Sequence, residues 1–306
     1  MVTLDKLSKT YNKGSVLAVD KVSFEVNKGE LFGLIGPDGA GKTSIFRMLT
    51  TLLLPDEGSA TVDGFDIVKD YKSIRNTVGY MPGRFSLYQD LSVEENLNFF
   101  ATIFNTTIEE NYDLIKDIYV QIEPFKDRKA GKLSGGMKQK LALSCALIHR
   151  PTILFLDEPT TGVDAVSRKE FWEMLKRLKT QGITILVSTP YMDEATLCDR
   201  IALIQSGKIL SIDTPQNIVD AYPDKLFAIK AESIYYLLND LRAYTKVKGC
   251  FTFGEFVHIS FKDKSATNEP ELLAYLKEKG HKNIEIKAVT PGIEDCFIRL
   301  MTEETN

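Results

Sequence analysis

One eight-residue segment constrains the fold of this chain more than any other. The apolar run Leu31–Ile35 predicts a short buried strand, and a helical pattern follows over residues 43–53. The loop between them fits the pattern G-x-x-x-x-G-K-[ST] and reads Gly36-Pro37-Asp38-Gly39-Ala40-Gly41-Lys42-Thr43. A strand, a glycine-rich loop and a helix in this order open a parallel α/β unit, so we expect a parallel α/β fold.

The same loop predicts a phosphate site. Glycines let the backbone curl so that successive N–H groups point inward, and the start of the following helix adds its positive end. Lys42 would reach the β- and γ-phosphates of a nucleotide, and the Thr43 hydroxyl would ligate Mg²⁺. The alternative, a glycine turn with an incidental lysine, is disfavoured by the flanking strand and helix. The residues expected to contact the nucleotide here are Pro37, Asp38, Gly39, Ala40, Gly41, Lys42, Thr43 and Ser44.

Further apolar runs predict the rest of the sheet. The predicted strands are Val78–Met81 and residues 153–156, 183–187 and 201–204. The middle two are almost wholly apolar, which is typical of strands in a sheet that helices cover on both faces.

Two regions depart from this pattern. Residues 2–7 and 22–26 alternate between apolar and polar side chains, which predicts two strands linked by a turn near Gly14. Between about residues 87 and 149 the spacing becomes helical, so we predict a helical insertion. Its helices are expected at residues 93–104, 112–122 and 136–148.

The pattern changes again after Pro215. From Leu226 the order is strand, helix, strand, strand, helix, strand, followed by a helix at residues 292–301. This order predicts a small ferredoxin-like α+β domain. We therefore place a first domain at residues 1–218, with a helical subdomain at about 85–150, and a second domain at 219–306.

Two carboxylates end one of the buried strands. Asp157 and Glu158 directly follow the run 153–156, and open α/β sheets bind ligands at the carboxyl ends of their strands. Asp157 would hold Mg²⁺, and Glu158 would polarise the water that attacks the γ-phosphate. A strand that merely ends in an acidic loop is the alternative.

Bulk properties exclude other classes. A net charge of −4 and a pI near 5.6 argue against a nucleic-acid-binding protein, which usually carries a basic excess. The apolar runs are far shorter than the ~20 residues of a bilayer-spanning helix. The four cysteines lie far apart, as is typical of a protein in a reducing cytosol, and they predict no metal site of their own.

A second glycine cluster narrows the family. Ser134 can cap a helix that starts with Gly135 and Gly136, which leaves bare backbone N–H groups at its positive end. This is a second anion site, although an ordinary helix start is the alternative. The full segment, Leu133-Ser134-Gly135-Gly136-Met137-Lys138-Gln139, resembles the L-S-G-G-Q signature of the ABC ATPase family. In that family the signature covers ATP held by the opposite subunit of a head-to-tail dimer.

The resemblance covers about residues 2–215. It implies an α/β P-loop NTPase core of the ABC ATPase type, with a mostly parallel sheet, N-terminal antiparallel strands and a helical subdomain. It also implies that ATP and Mg²⁺ are bound, that Tyr11 stacks on adenine, and that Asp164 lies in the D-loop linking the two sites of the dimer and takes part in catalysis. A plain surface position is the alternative for Tyr11.

Within the family, the chain resembles ATP-binding subunits of ABC-2-type exporters in its segments at residues 33–43, 188–195 and 291–297. This implies an ATP-hydrolysing subunit, peripheral on the inner, cytoplasmic face of the cell membrane. Its expected partners are membrane-spanning permease subunits and a second ABC ATPase subunit, as a homodimer or a heterodimer, without nucleic acid. Phe85, Leu87 and Tyr88 match the stretch that lines the groove for the permease, with buried core as the alternative.

Two positions depart from the family pattern. Gly83 stands where the family has a glutamine that contacts Mg²⁺, and Pro190 replaces its switch histidine; Met137 for the last signature glutamine is a lesser change. Since a lost donor to transition-state charge costs ~10²–10³-fold in rate, we expect slow turnover at the chain's own site. The hypothesis is an asymmetric pair in which this chain donates its signature to an active partner. A slow homodimer, a non-hydrolysing ATP-binding clamp and a soluble ABC protein of another class are the alternatives.

Overall fold

The computed structural model describes residues 1–263 and 268–304. The chain divides into two compact units, residues 1–218 with the chain from Arg299, and Val219–Ile298. Within the described residues, no helix is both long enough and apolar enough to cross a membrane.

The first unit contains ten strands and seven helices among its described residues. The strands are β1 (Val2–Tyr11), β2 (Val16–Val26), β3 (Leu31–Ile35), β4 (Glu57–Val62), β5 (Phe65–Asp66), β6 (Val78–Met81), β7 (Ile153–Asp157), β8 (Thr184–Thr189), β9 (Arg200–Gln205) and β10 (Lys208–Asp213). The helices are α1 (Lys42–Leu49), α2 (Tyr71–Thr77), α3 (Val93–Ile103), α4 (Ile108–Tyr119), α5 (Gly135–Leu147), α6 (Ala165–Thr180) and α7 (Pro215–Asp220), the last of which ends beyond Ile218.

A six-stranded sheet forms the centre of this unit. Its order is β10-β9-β3-β8-β7-β6, and every neighbouring pair is parallel except β9 with β10. All residues of β3, β7 and β8 are buried, as expected for strands covered on both faces. The register pairs Ile35 with Thr189, and Asp157 with Ser188. The carboxyl ends of three central strands therefore meet at one edge, which confirms the predicted parallel α/β sheet.

A second, antiparallel sheet has the order β2-β1-β4-β5. Its apolar side chains join those of β3, α1 and β7 in one hydrophobic core. The rings of Phe24 and Phe32 stack 5.3 Å apart across this junction. The core fixes α1, and with it the glycine-rich loop, against both sheets.

The predicted helical insertion consists of α3, α4 and α5. Two of these helices begin with a capping box, in which Ser92 and Glu95, and then Thr107 and Glu110, satisfy each other's backbone N–H groups. Such caps are worth about 1 kcal/mol each, so the sequence fixes where these helices start. Both α3 and α4 pack against α5.

The second unit is an α+β fold. It contains β11 (Leu226–Lys230), α8 (Ile234–Ala243), β12 (Val247–Phe253), β13 (Phe256–Phe261), α9 (Asn268–Glu278), β14 (Glu285–Val289) and the first half of α10 (Ile293–Glu304). The sheet is antiparallel, with the order β12-β13-β11-β14. This arrangement agrees with the ferredoxin-like pattern predicted from the sequence.

Candidate nucleotide-binding site

The glycine-rich loop connects β3 to α1 at the carboxyl edge of the central sheet. Gly41 has φ +107°, and a Cβ at this position would lie 2.3 Å from the Ala18 carbonyl oxygen. A Cβ on Gly36 would lie 2.2 Å from the Ile204 carbonyl oxygen. Only glycine fits either place, so the tight loop depends on these two residues.

Lys42 lies buried under this loop, with 3% of its surface exposed. Its ammonium group donates hydrogen bonds to the carbonyl oxygens of Gly36 (2.7 Å) and Pro37 (2.9 Å). The same nitrogen lies 3.1 Å from Glu158 Oε1. A buried charge is tolerated only when it is paired and hydrogen-bonded in this way. Lys42 is thus a fixed positive charge at the start of α1.

The two predicted metal ligands lie in contact. Thr43 Oγ1 donates to Asp157 Oδ1 at 3.2 Å, and Ser188 Oγ donates to the same carboxylate oxygen at 2.7 Å. Asp157 is almost fully buried, with 2% exposed. Hydroxyl and carboxylate oxygens are the donors that Mg²⁺ prefers, and the neighbouring ammonium and helix start suit phosphate. These residues therefore fit ATP with Mg²⁺.

Glu158 has an unusual backbone conformation. Its φ of +51° is in the left-handed region, which few residues other than glycine adopt. Its N–H donates to Ser188 Oγ at 3.0 Å and to the Ser188 carbonyl at 3.1 Å, which holds it there. Strain of this kind costs of order 1–3 kcal/mol and occurs often at functional sites. It turns the Glu158 carboxylate back toward Lys42.

The other residues predicted for this site lie around the same loop. The Tyr11 hydroxyl lies 3.1 Å from Ser44 Oγ, which places the end of β1 beside the start of α1. Asp38 and Gly39 are exposed, and Pro37 is half-buried. Ala40 is buried, and its N–H donates to the Pro37 carbonyl at 3.2 Å.

The second predicted anion site lies at the start of α5. We call the glycine-rich loop with Lys42 the first cradle and this helix start the second cradle. Ser134 caps this helix, and its Oγ accepts a hydrogen bond from the Met137 N–H at 3.3 Å. A Cβ on Gly136 would lie 2.8 Å from Ser167 Oγ, and a Cβ on Gly135 would lie 3.6 Å from the Gly162 carbonyl. The glycines of the signature thus allow α5 to start close against the start of α6.

Asp164 caps α6. Its Oδ1 accepts hydrogen bonds from the N–H groups of Ser167 (3.0 Å) and Val166 (3.1 Å). The Ser167 N–H, with help from its hydroxyl, lowers the pKa of Asp164 below its ordinary value. The contact seen for Asp164 is therefore that of a helix cap, and its expected part in catalysis stays a prediction.

The two departures from the family pattern lie at the same edge of the sheet. A Cβ on Gly83 would lie 3.0 Å from the Asp157 carbonyl oxygen and 3.8 Å from Glu158 Cβ. Pro190 directly follows Thr189, the last residue of β8. The three histidines of the chain have partners elsewhere: His149 with the Val78 carbonyl, His258 with Asp295, and His281 with Asp240.

Ser188 was not predicted from the sequence as a residue of this site. This residue bonds both the Asp157 carboxylate and the Glu158 N–H, so it links the predicted metal ligand to the predicted catalytic residue. The register of β7 and β8 makes it the partner of Asp157 in the sheet. A hydroxyl at the end of an apolar strand, next to the strand that carries the carboxylates, is the signal that could have found it.

A groove of about 500 Å³ lies between the central sheet and the helical segment. Its wall includes Leu87, Phe100, Phe104, Cys145 and His149. Three residues are predicted to line a permease groove, and of these Leu87 lines the present groove. Phe85 lies beneath the Lys138 ammonium instead, 5.5 Å from it, and the ring of Tyr88 packs edge-on against Phe99 at 4.8 Å.

Comparisons with known proteins show the family of this chain. The model of the ABC transporter family matches residues 19–161. The chain is 39% identical over 305 residues to the probable multidrug ABC transporter ATP-binding protein YbhF of Escherichia coli, covering 98% of this chain and 52% of that protein. It is 34% identical to the Nod factor export ATP-binding protein I of Sinorhizobium fredii, covering 99% of this chain and 86% of that protein.

Solved structures of ATP-binding cassettes share the fold. The dimeric post-hydrolysis structure of the ATP-binding cassette MJ0796, bound to ADP and phosphate, superposes with a TM-score of 0.63 at 25% identity, covering 70% of this chain and 98% of that one. Fold and site thus define a P-loop nucleotide-binding protein. The chain belongs to the family of ABC transporter ATP-binding proteins. It spans about half the length of YbhF.

Proposed function

We propose that this chain is the ATP-binding and ATP-hydrolysing subunit of an ABC exporter. The observation that carries the proposal is the set of contacts around Lys42, in which its ammonium group meets Glu158 and the neighbouring Thr43 meets Asp157. A Nod factor export ATP-binding protein and a probable multidrug ABC transporter ATP-binding protein are among the named relatives, and the first of these supports export as the process. The transported substrate would bind the membrane subunits and not this chain.

The residues of the site would divide the work. Lys42 and the N–H groups of the loop bind the β- and γ-phosphates, and Tyr11 holds the adenine. Thr43 and Asp157 hold Mg²⁺, which when bound neutralises charge on the phosphates. Glu158 orients and polarises the attacking water. The contact between Glu158 and Lys42 must open when the phosphates bind, because the carboxylate and the phosphates would compete for the same ammonium group.

The start of α5 would serve a second subunit. Ser134, Gly135 and Gly136 present a helix start with bare backbone N–H groups, which suits an anion already held by another subunit. We infer a head-to-tail dimer in which each signature covers the ATP of the opposite subunit. The partner is a second copy of this chain or a related ABC ATPase subunit.

The departures at Gly83 and Pro190 favour unequal sites in that dimer. Neither residue has a side-chain donor for transition-state charge, while the signature is intact except for Met137. This chain would hold its own ATP with slow turnover and support faster turnover in its partner. The second candidate function, a non-hydrolysing clamp, is favoured by the same Pro190.

The groove would take a short helix from the permease. Leu87 and the phenylalanines give it an apolar wall, as helix-in-groove recognition requires. Docking there would place the chain on the inner face of the cell membrane, where closure of the dimer moves the membrane subunits. Because Phe85 lies outside the wall, Leu87→Asp is the sharper uncoupling variant, with Phe85→Asp as its comparison.

The test is ATP binding and hydrolysis by the purified chain. We expect ATP binding with Mg²⁺ and slow hydrolysis that Glu158→Gln abolishes without loss of binding. A chain that binds no ATP would contradict the proposal. Brisk hydrolysis by the chain alone, abolished by Glu158→Gln, would contradict the unequal pair and leave an ordinary ATPase. Binding without any hydrolysis, alone or with a partner, would favour the clamp.

A further inference from the structure

A buried carboxylate lies beside the nucleotide-binding site and is not among the residues assigned to ATP binding or hydrolysis. Glu194 belongs to the short 3-10 helical turn Met192–Leu197, and 2% of its surface is exposed. Its neighbours Thr160 and Thr189 are equally buried, with 1% and 0% exposed. A buried carboxylate is costly unless partners compensate it, so its contacts require a reason.

Three groups surround the Glu194 carboxylate. Oε2 accepts hydrogen bonds from Thr189 Oγ1 at 2.5 Å and from Thr160 Oγ1 at 3.1 Å. Oε1 lies 3.6 Å from Arg168 Nε, and within the part of the chain that the structure describes neither of these two atoms has a hydrogen-bond partner. The guanidinium therefore supplies charge to Glu194 without a hydrogen bond.

These partners come from three segments around the site. Thr160 lies two residues after Glu158. Thr189 ends β8, and its carbonyl accepts a hydrogen bond from the Gly36 N–H at 3.2 Å, at the entry to the glycine-rich loop. Arg168 lies in the first turn of α6, whose Ser167 lies against the Gly136 position of α5. The Glu194 carboxylate thus connects the loop after Glu158, the end of β8 and the start of α6, which lies against the signature helix α5.

The strained backbone at Glu158 makes this connection important. Ser188 holds Glu158 on its N-terminal side through the Glu158 N–H. On the C-terminal side, Thr160 is held by Glu194. A residue with φ +51° persists only when its surroundings determine its conformation. Beside the bonds from Ser188 and from the Thr161 N–H to the Glu158 carbonyl, Glu194 adds a side-chain hold on the C-terminal side.

We propose that Glu194 is a positioning residue that fixes Glu158 for ATP hydrolysis and relays the state of the site to α6. This inference rests on the proposed ATPase function. In this role Glu194 acts on hydrolysis through its contacts with Thr160 and Arg168. Its charge faces Arg168: a glutamine whose amide oxygen kept the two threonine hydrogen bonds would turn its N–H donors toward the guanidinium, which can only donate.

The experiment compares Glu194→Gln with Asp193→Asn in the full chain. Asp193 is the matched control, since its Oδ2 lies 3.7 Å from Arg168 Nη1 while its side chain is 76% exposed. The readouts are the Kd for ATP-Mg²⁺ and the rate of a single turnover. For Glu194→Gln we expect a Kd within about twofold of wild type and a rate lowered at least about tenfold, because small misplacements of catalytic groups have such effects. Asp193→Asn should change the rate less than about twofold by the same reasoning.

A second pair of variants separates positioning from folding. Thr160→Val keeps the buried shape and removes the hydroxyl, while Thr160→Ser keeps the hydroxyl. We expect Thr160→Val to lower the single-turnover rate like Glu194→Gln, and Thr160→Ser to retain most of it at equal melting temperature. A loss that followed melting temperature across the variants would assign Glu194 a structural role only.

Trp172 reports the relay. It is the single tryptophan of the chain, buried one turn after Arg168 on α6. We expect ATP to change its emission in wild type and not in Glu194→Gln. If wild type binds ATP without hydrolysing it, the change in Trp172 emission becomes the only test of the inference. The absence of this change in wild type would then overturn the inference. A wild-type chain that binds no ATP would overturn the proposed function too. Wild-type rate and emission in Glu194→Gln would overturn only this inference.

Discussion

The starts of α1 and α5 are two helix N-termini that both suit an anion, yet they differ in charge. The start of α1 carries the buried Lys42, which already contacts Glu158 of the same chain. The start of α5 carries a serine cap and two glycines, with no basic side chain in its first turn except Lys138. In the proposed function the first cradle holds the chain's own phosphate, and the second covers a phosphate that another subunit brings.

The two cradles also differ in how far they keep the family pattern. The departures Gly83 and Pro190 both lie on the side of the first cradle, next to Asp157 and Thr189. Around the second, Met137 is the one change, and its backbone N–H still bonds the Ser134 cap. If the proposed dimer forms, the difference teaches that binding and turnover can separate within one subunit, because one cradle would serve its own ATP and the other a neighbour's.

The largest expected effect is at the first cradle. Lys42→Ala should lower the rate of hydrolysis by ~10³-fold, because it removes a fixed charge aimed at the phosphates. Steady-state or single-turnover release of phosphate measures this. Lys140→Ala, which removes a surface ion pair to Glu170 near the second cradle, is the control and should have little effect. An equal loss of hydrolysis rate in Lys42→Ala and Lys140→Ala would contradict the distinction between the two cradles.

At the second cradle, Ser134→Arg should lower hydrolysis by the assembled complex by ~10²-fold, since it fills the helix start that covers the partner's ATP. Binding of ATP by the isolated variant should stay unchanged, which a fluorescent-nucleotide titration would measure. Ser134→Thr keeps the cap and should retain activity. Loss of ATP binding in the isolated Ser134→Arg chain would show that both cradles serve one nucleotide within one chain.

Restoring the family pattern should raise turnover at the first cradle. Pro190→His, alone and with Gly83→Gln, should raise hydrolysis by the chain about tenfold, which is part of the ~10²–10³-fold that a transition-state donor contributes. The measurement is phosphate release, with Glu158→Gln added as the background control. A restored histidine without any gain would indicate that another residue limits turnover, and the unequal pair would lose its basis.

Much of the central sheet could be predicted because its strands are continuous apolar runs. The expected ends of Leu31–Ile35 and Val78–Met81 agree with the structure. By contrast, β4 was not predicted, since only Ala60 and Val62 of its six residues are buried. Pairing with β1, which sets Val62 opposite Val2, specifies that strand, and pairing across 60 residues leaves no local pattern.

The helix α6 was also missed, although its signal was present. Buried Phe171, Trp172, Leu175 and Leu178 recur at helical spacing after Asp164, a residue that favours helix starts. At the site, Lys42, Thr43, Asp157 and Glu158 follow from motifs, because each motif states its chemistry locally. Ser188 and Glu194 could not be found that way, since their roles depend on strand register and on contacts between distant segments.

The smallest expected effect concerns Asp164, which caps α6 beside the second cradle. As a cap of α6 it has a folded-state pKa below its ordinary value of 3.8, so it stabilises the fold above that pH. The contribution is lost as pH falls below 3.8 through the lowered pKa, because the unfolded chain then binds the proton first. Asp164→Ala should therefore lower the melting temperature by a few degrees near pH 7, and this difference from wild type should shrink toward pH 3.

Asp164→Asn keeps a capping side chain without charge and separates this role from catalysis. If Asp164 is only a cap, the asparagine variant should hydrolyse ATP at nearly the wild-type rate, because asparagine caps helices about as well. If Asp164 takes part in catalysis across the dimer, as the family resemblance predicts, the same variant should lose activity at an unchanged melting temperature. That result would show that Asp164 couples the two cradles in catalysis. The two cradles would then differ in degree and not in kind.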